Sequence, residues 1–173
     1  MILPIVAYGD PVLKRKSVDI DPASKDLKEL IERMFETMYN ANGIGLAAPQ
    51  IGKNIRLFIA DGTPVESLKD KNFRKVFINP IITQEEGEPW VFEEGCLSIP
   101  GIRENVMRKS IVTITYLDEN GTQLTETYDG MAARIIQHEY DHIEGILFVD
   151  HVSALKKQVL KGKLTNISKG KAD

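Results

Sequence analysis

Gln137-His138-Glu139-Tyr140-Asp141-His142 is the stretch around which the rest of the chain is organised. On a helix, residues four apart share a face, so His138 and His142 project side by side and can grip one ion. Glu139 stands beside that face, placed to exchange a proton with water at the metal without being a ligand itself. This is the mechanical content of the H-E-x-x-H signature. Asp129 sits where a cap would open the helix. Met131, Ile135, His138 and His142 follow one another at 4-3-4 spacing, so an apolar wall of Met131 and Ile135 adjoins the metal face, although both side chains are equally compatible with plain core.

Two histidines need a third protein ligand, and a catalytic site uses three and leaves a place for water. The three-histidine protease continuation fails here: Gly145 is in register, but Phe148 stands where the last histidine belongs. A downstream glutamate is the other common solution, yet only Asp150 and Asp173 are acidic beyond Glu144. His151 and Cys96 remain. A lone cysteine is most often a small buried hydrophobe. Between Gly95 and Pro100, however, the backbone of Cys96 must be loop-like or a bulged strand, and beside a two-histidine helix it fits a thiolate ligand. Cys, two His and water suit Zn²⁺ or Fe²⁺. With His151 as a fourth ligand the same residues would instead close a structural zinc.

The whole chain of 173 residues is long enough for one domain with a substantial core. Its 42% hydrophobic and 27% charged content is ordinary for a soluble globular protein, and a net charge of −3 gives no general attraction to nucleic acid. A single cysteine excludes an internal disulfide framework and fits a reducing compartment. The apolar start lacks a basic leader and meets Asp10-Pro11 early, so no signal peptide is expected, no run approaches membrane-spanning length, and the expected setting is cytoplasmic.

Residues 1–20 read as an extended arm. Asp21-Pro22 predicts a helix start, Leu27, Leu30, Ile31, Met34, Phe35 and Met38 give its core face, and Asn42-Gly43 stops it. Residues 55–60 and 76–82 read as strands, with 61–75 a surface loop between them. Residues 111–117 and 122–128 form a hairpin across Asp118-Glu119-Asn120-Gly121, 146–149 are buried strand or loop, and Ser153 to about Gly162 form a last helix. Gly43-x-Gly45-x-x-Ala48 is not a dinucleotide loop, because a helix precedes it and Pro49 and Gly52 leave no room for another after it. It is a backbone that a substrate can approach closely, with Gln50 offering an amide donor. From residue 152 the chain carries six lysines and one acidic residue, Asp173, and reads as a solvated, partly frayed basic tail. The expected fold class is α+β: mainly antiparallel sheets packed around a central helix carrying H-E-x-x-H, with an N-terminal and a C-terminal helix. Residues 1–173 are expected to form a single metallohydrolase domain.

The stretches Gly43-Ile44-Gly45-Leu46-Ala47-Ala48-Pro49-Gln50, Glu94-Gly95-Cys96-Leu97-Ser98 and Gln137-His138-Glu139-Tyr140-Asp141-His142 together resemble the three motifs of the peptide deformylase family, in the same order. The resemblance covers most of residues 1–150. It implies a hydrolase that removes the formyl group from N-formyl-methionyl nascent peptides and releases formate. Its metal would be held by Cys96, His138 and His142, with Fe²⁺ as the cellular ion and Zn²⁺, Ni²⁺ or Co²⁺ as substitutes. Glu139 would be the general base and acid, and Gln50 and the backbone N–H of Leu97 would meet the oxyanion. Gly45 would bond the substrate main chain, Ile44, Met131 and Ile135 would line the methionine pocket, and Arg103 would lie near the substrate. Glu94 and Arg108 would pair behind the Cys96 loop, and Asp141 would orient a histidine. The basic tail would make at most a weak ribosome contact, with no membrane and no sequence-specific nucleic acid as partners. A metallopeptidase with the same ligands and a closed zinc module are the competing readings.

Overall fold

The computed structural model describes residues 1–170. An extended N-terminal arm with one 3-10 turn at Pro11–Lys14, capped by Asp10, leads to helix α1, Leu27–Asn40. Strands β1 (Gly45–Ala47), β2 (Leu57–Asp61), β3 (Arg74–Glu86), β4 (Trp90–Cys96), β5 (Ile99–Arg108), β6 (Ile111–Leu117) and β7 (Gln123–Asp129) follow. Helix α2, Gly130–Ile143, carries the two histidines, and α3, Ala154–Ser168, comes after a 3-10 turn at Phe148–His151. Five strands form one antiparallel sheet in the order β1-β2-β3-β6-β7, and β4 pairs only with β5 in a second sheet. The α+β expectation holds, with α2 between the sheets.

Strand periodicity explains why the large sheet is covered on both faces. Leu57 and Ile59 of β2, with Val76 and Ile78 of β3, pack on the stripe Leu27, Ile31, Met34, Phe35 and Met38 of α1. The alternate residues Phe58, Ala60 and Phe77 face the other way, onto Ala132, Ala133, Ile135 and Ile136 of α2. A third cluster joins Ile99, Ile102 and Val106 of β5 to Phe148 and to Leu160, Leu164 and Ile167 of α3.

Several boundaries differ from expectation. The first helix begins at Leu27, because Asp21 uses its carboxylate to accept from the Ala23 N–H at 2.9 Å, closing a turn instead of capping a helix. Asp129 does occupy the cap position of α2, but its side chain makes no capping bond. Residues 61–75 are more than a surface loop: Leu68 and Phe73 are buried in the α2 core. β4 and β5 pair as a hairpin for which the sequence carries no clean alternating pattern. Residues 146–149 lead into a 3-10 turn rather than a strand. The tail is an ordered helix to Ser168, capped by the Ser153 hydroxyl, since Leu160, Leu164 and Ile167 give it an apolar seat. Lys171 and Asp173 lie outside the described residues. No helix among the described residues is long and apolar enough to cross a membrane.

Phe58 and Phe77 are fully buried with ring centroids 4.6 Å apart. Phe58→Ala should therefore lower stability by about 3–5 kcal/mol, the usual cost of emptying an aromatic site, measured by urea denaturation; a loss below 1 kcal/mol would mean that the core closes over the gap.

Candidate metal centre

α2 presents His138 and His142 one turn apart, and β4 ends on Cys96 at a register shift between Gly95 and Cys96. The bulge turns the thiol towards the helix. One ligand atom from each of Cys96, His138 and His142 lies within 4.8 Å of the others. Cys96 Sγ is 3.4 Å from His142 Nε2. Two donors bound tetrahedrally to one Zn²⁺ at ordinary bond lengths stand about 3.5 Å apart, which is the separation the Cys96–His142 pair already has. Among the described residues no fourth protein ligand joins the group, and His151 instead donates to Asp141 Oδ2 at 2.7 Å. The closed zinc module therefore lacks its fourth ligand.

Glu139 is buried beside this group, with Oε1 lacking any hydrogen-bond partner and Oε2 4.0 Å from His138 Nε2. Burial pushes its carboxyl up to about 7. Burial also pushes the His142 imidazole well down, favouring the neutral form that ligates metal. Gly45 is what lets β1 lie against Glu139: a Cβ there would meet Glu139 Oε2 at 2.5 Å. The Gln50 amide is fixed by its surroundings. Its Oε1 accepts from the Ala47 N–H at 3.0 Å, which leaves Nε2 aimed at Cys96 Sγ (3.4 Å) and Ser98 Oγ (3.2 Å).

These groups open onto a cleft of about 550 Å³. Ile44, Gly45, Gln50, Leu97, Met131 and Ile135 all line it, so the structure brings together the residues singled out from the sequence. Arg103 also lies on the rim, exposed and folded back on Glu93, with Nε to Oε1 at 3.0 Å and Nη2 to the carbonyl at 3.1 Å.

The expected pairing of Glu94 with Arg108 is present, buried and bidentate, at 2.7 and 2.9 Å. Glu94 Oε1 also takes the His138 Nδ1–H at 2.9 Å, which fixes the tautomer that leaves Nε2 free to ligate. Although burial alone would raise it, hydrogen bonds from His138 and Arg108 hold the Glu94 carboxyl far below the usual carboxylate range. Asp141 makes no direct hydrogen bond to His138 or His142; the histidine it bonds is His151, at 2.7 Å, and its Oδ2 also accepts from Arg108 at 2.8 Å. Sequence reasoning missed Arg134, which donates to Glu94 Oε2 at 2.7 Å and to the carbonyls of Val106 and Trp90. The available signal was its spacing, one turn before His138. It also missed Phe148, whose ring lies over that of His138 with centroids 6.1 Å apart.

Paired helix histidines, a thiol from a strand end and an unpartnered carboxylate beside them, at the base of a cleft, form the layout of a metal-dependent hydrolase. The family model described as polypeptide deformylase matches residues 2–158. The peptide deformylase of Christiangramia forsetii is 59% identical, with 99% of this chain and 92% of the relative covered. That of Cytophaga hutchinsonii is 56% identical, covering 100% of this chain and 94% of the relative. A peptide deformylase crystal structure from Legionella pneumophila superposes with a TM-score of 0.86 at 39% identity, covering 98% of this chain and 96% of that one. One from Synechococcus elongatus, in complex with actinonin, gives 0.82 at 40% identity, covering 98% and 89%. The chain belongs to the peptide deformylase family, metalloenzymes that remove the N-formyl group from nascent peptides.

Arg108→Met would leave Glu94 and Asp141 short of a buried cation, so about 3–5 kcal/mol of stability should be lost in chemical denaturation; a variant as stable as the parent would show that Arg134 alone neutralises the site. Gly45→Ala should fold normally yet displace Glu139, with formyl-peptide turnover falling about 100-fold; unchanged turnover would mean that the carboxylate has room to step aside.

Proposed function

We propose that this chain hydrolyses the formamide of N-formyl-methionyl nascent peptides in the cytoplasm, with Cys96, His138 and His142 holding one divalent ion, Fe²⁺ in the cell. The observation that carries the reading is the convergence of those three ligand atoms within 4.8 Å beside the unpartnered Oε1 of Glu139. When bound, the ion supplies Lewis acidity, which polarises a carbonyl and makes water acidic near neutral pH.

Glu139 handles the proton. With its carboxyl near 7, it can take a proton from the attacking water and return it to the departing amine without a large energetic penalty either way. Gln50 Nε2, its amide orientation set by the Ala47 N–H, donates to the developing oxyanion together with the Leu97 backbone N–H. Ile44, Met131 and Ile135 give the cleft an apolar wall suited to a methionine side chain, and Gly45 bonds the substrate main chain. Arg103, by opening its ion pair with Glu93, reaches the peptide beyond the first residue. The exposed lysines of α3 allow a weak, salt-sensitive ribosome contact.

Anaerobic purification with metal analysis and a formate-release assay tests the reading. Formyl-Met peptides should be cleaved and unformylated peptides left intact; cleavage of an internal peptide bond would favour a metallopeptidase. Glu139→Ala should keep the metal while turnover falls by at least about 10²–10⁴-fold. Retained turnover in a metal-replete variant would assign the proton to another group.

A further inference from the structure

His151 is absorbed by none of the roles above. Its side chain is 35% exposed, yet its Nε2 reaches Asp141, whose side chain is only 16% exposed, at 2.7 Å. From there the hydrogen bonds run inward without a break. Asp141 Oδ2 accepts from Arg108 Nη1 at 2.8 Å, Arg108 donates twice to Glu94 at 2.7 and 2.9 Å, and Glu94 Oε1 accepts from His138 Nδ1 at 2.9 Å. The guanidinium is planar, so its two carboxylate partners fix each other's orientation.

A second observation concerns the same short segment. The 3-10 turn Phe148–His151 places Phe148, which is almost fully buried, over the face of the His138 ring. At its other end it places His151 on Asp141. The turn is itself pinned: Asp150 accepts from the Leu147 N–H at 2.8 Å and from Lys14 Nζ at 2.9 and 3.0 Å. One rigid turn thus braces His138 twice, on its ring face directly and on its Nδ1 edge through three intervening residues.

We infer that His151 is a positioning residue for the metal centre, acting through Asp141, Arg108 and Glu94 to hold His138 in its ligating orientation. This rests on the metal-centre reading above. Without the His151 N–H, Asp141 is held from one side only and can swing towards solvent, which loosens the guanidinium and then the carboxylate that aims His138. Gln can supply an N–H near the position of His Nε2, whereas Phe keeps the ring volume without it.

The test compares the full-length protein with His151→Phe and His151→Gln, each loaded with Zn²⁺ or Co²⁺. Direct partners of metal ligands are worth about 10–100-fold in affinity, so this more remote one should change the rate of ion loss to a chromophoric chelator about three- to tenfold. His151→Phe should show that acceleration, a shifted visible spectrum of the Co²⁺ form, and lower kcat at unchanged KM for a formyl-Met peptide. His151→Gln should restore all three. In an Asp141→Asn background, His151→Phe should add nothing, since the two lie on one path. Ion loss unaltered in His151→Phe would overturn the inference, as would equal acceleration in His151→Gln. If no variant, parent included, cleaves formyl peptides while ion loss still follows the expected pattern, the inference stands and the proposed activity falls.

Discussion

A carboxylate taken out of water costs several kcal/mol unless opposite charge and hydrogen-bond donors fill its oxygens. Glu94 meets that condition with Arg108, Arg134 and His138, two of them on α2 and one on β5. The interaction therefore does more than back the Cys96–His138–His142 group. It fixes β4 against α2, and β4 is the strand that ends on Cys96. Satisfying one buried charge sets both the sheet-to-helix distance and the direction of His138, so fold and ligand geometry have a common solution.

The apolar half of the molecule has the complementary task of keeping α2 immobile. β2 is buried along its whole length, with alternate side chains packed on α1 and α2. Such a strand transmits no slack between the two helices. Close approach then becomes possible where a side chain is missing, and Gly45 of β1 comes to lie directly over Glu139. Glu139 is buried by that approach, and burial pushes its carboxyl up to about 7.

What was legible in the sequence was local. The 3.6-residue stripe of α1, the turn chemistry between β6 and β7, and the His138–His142 spacing are each specified by residues close together along the chain. What was hidden depended on distant partners. Arg134 reads as a solvated helix arginine, because its carboxylate is 40 residues away. β4 lacks a clean alternation: Trp90, Val91 and Phe92 are followed by two glutamates, and the second of these is the buried one. Asp21-Pro22 suits a turn as well as a helix start, and only the fold decides which. In α3, lysines on the exposed sides mask the seat made by Leu160, Leu164 and Ile167. Of the candidate site, the group Cys96, His138 and His142 and the neighbouring Glu139 were readable, and the network around them was readable only in its Glu94–Arg108 pair.

β4 and β5 share no ladder with the five-stranded sheet. Apart from the Tyr8 N–H bond to the Ser98 carbonyl at 2.8 Å, their attachment to the body of the protein is chiefly through side chains: the Glu94 cluster on one side and the packing of Ile99, Ile102 and Val106 on the other. Cooperative units of this kind open at lower free energy than a central sheet. The wall of the cleft that bears Cys96 and Leu97 thus owes its position to those side-chain contacts more than to any sheet ladder.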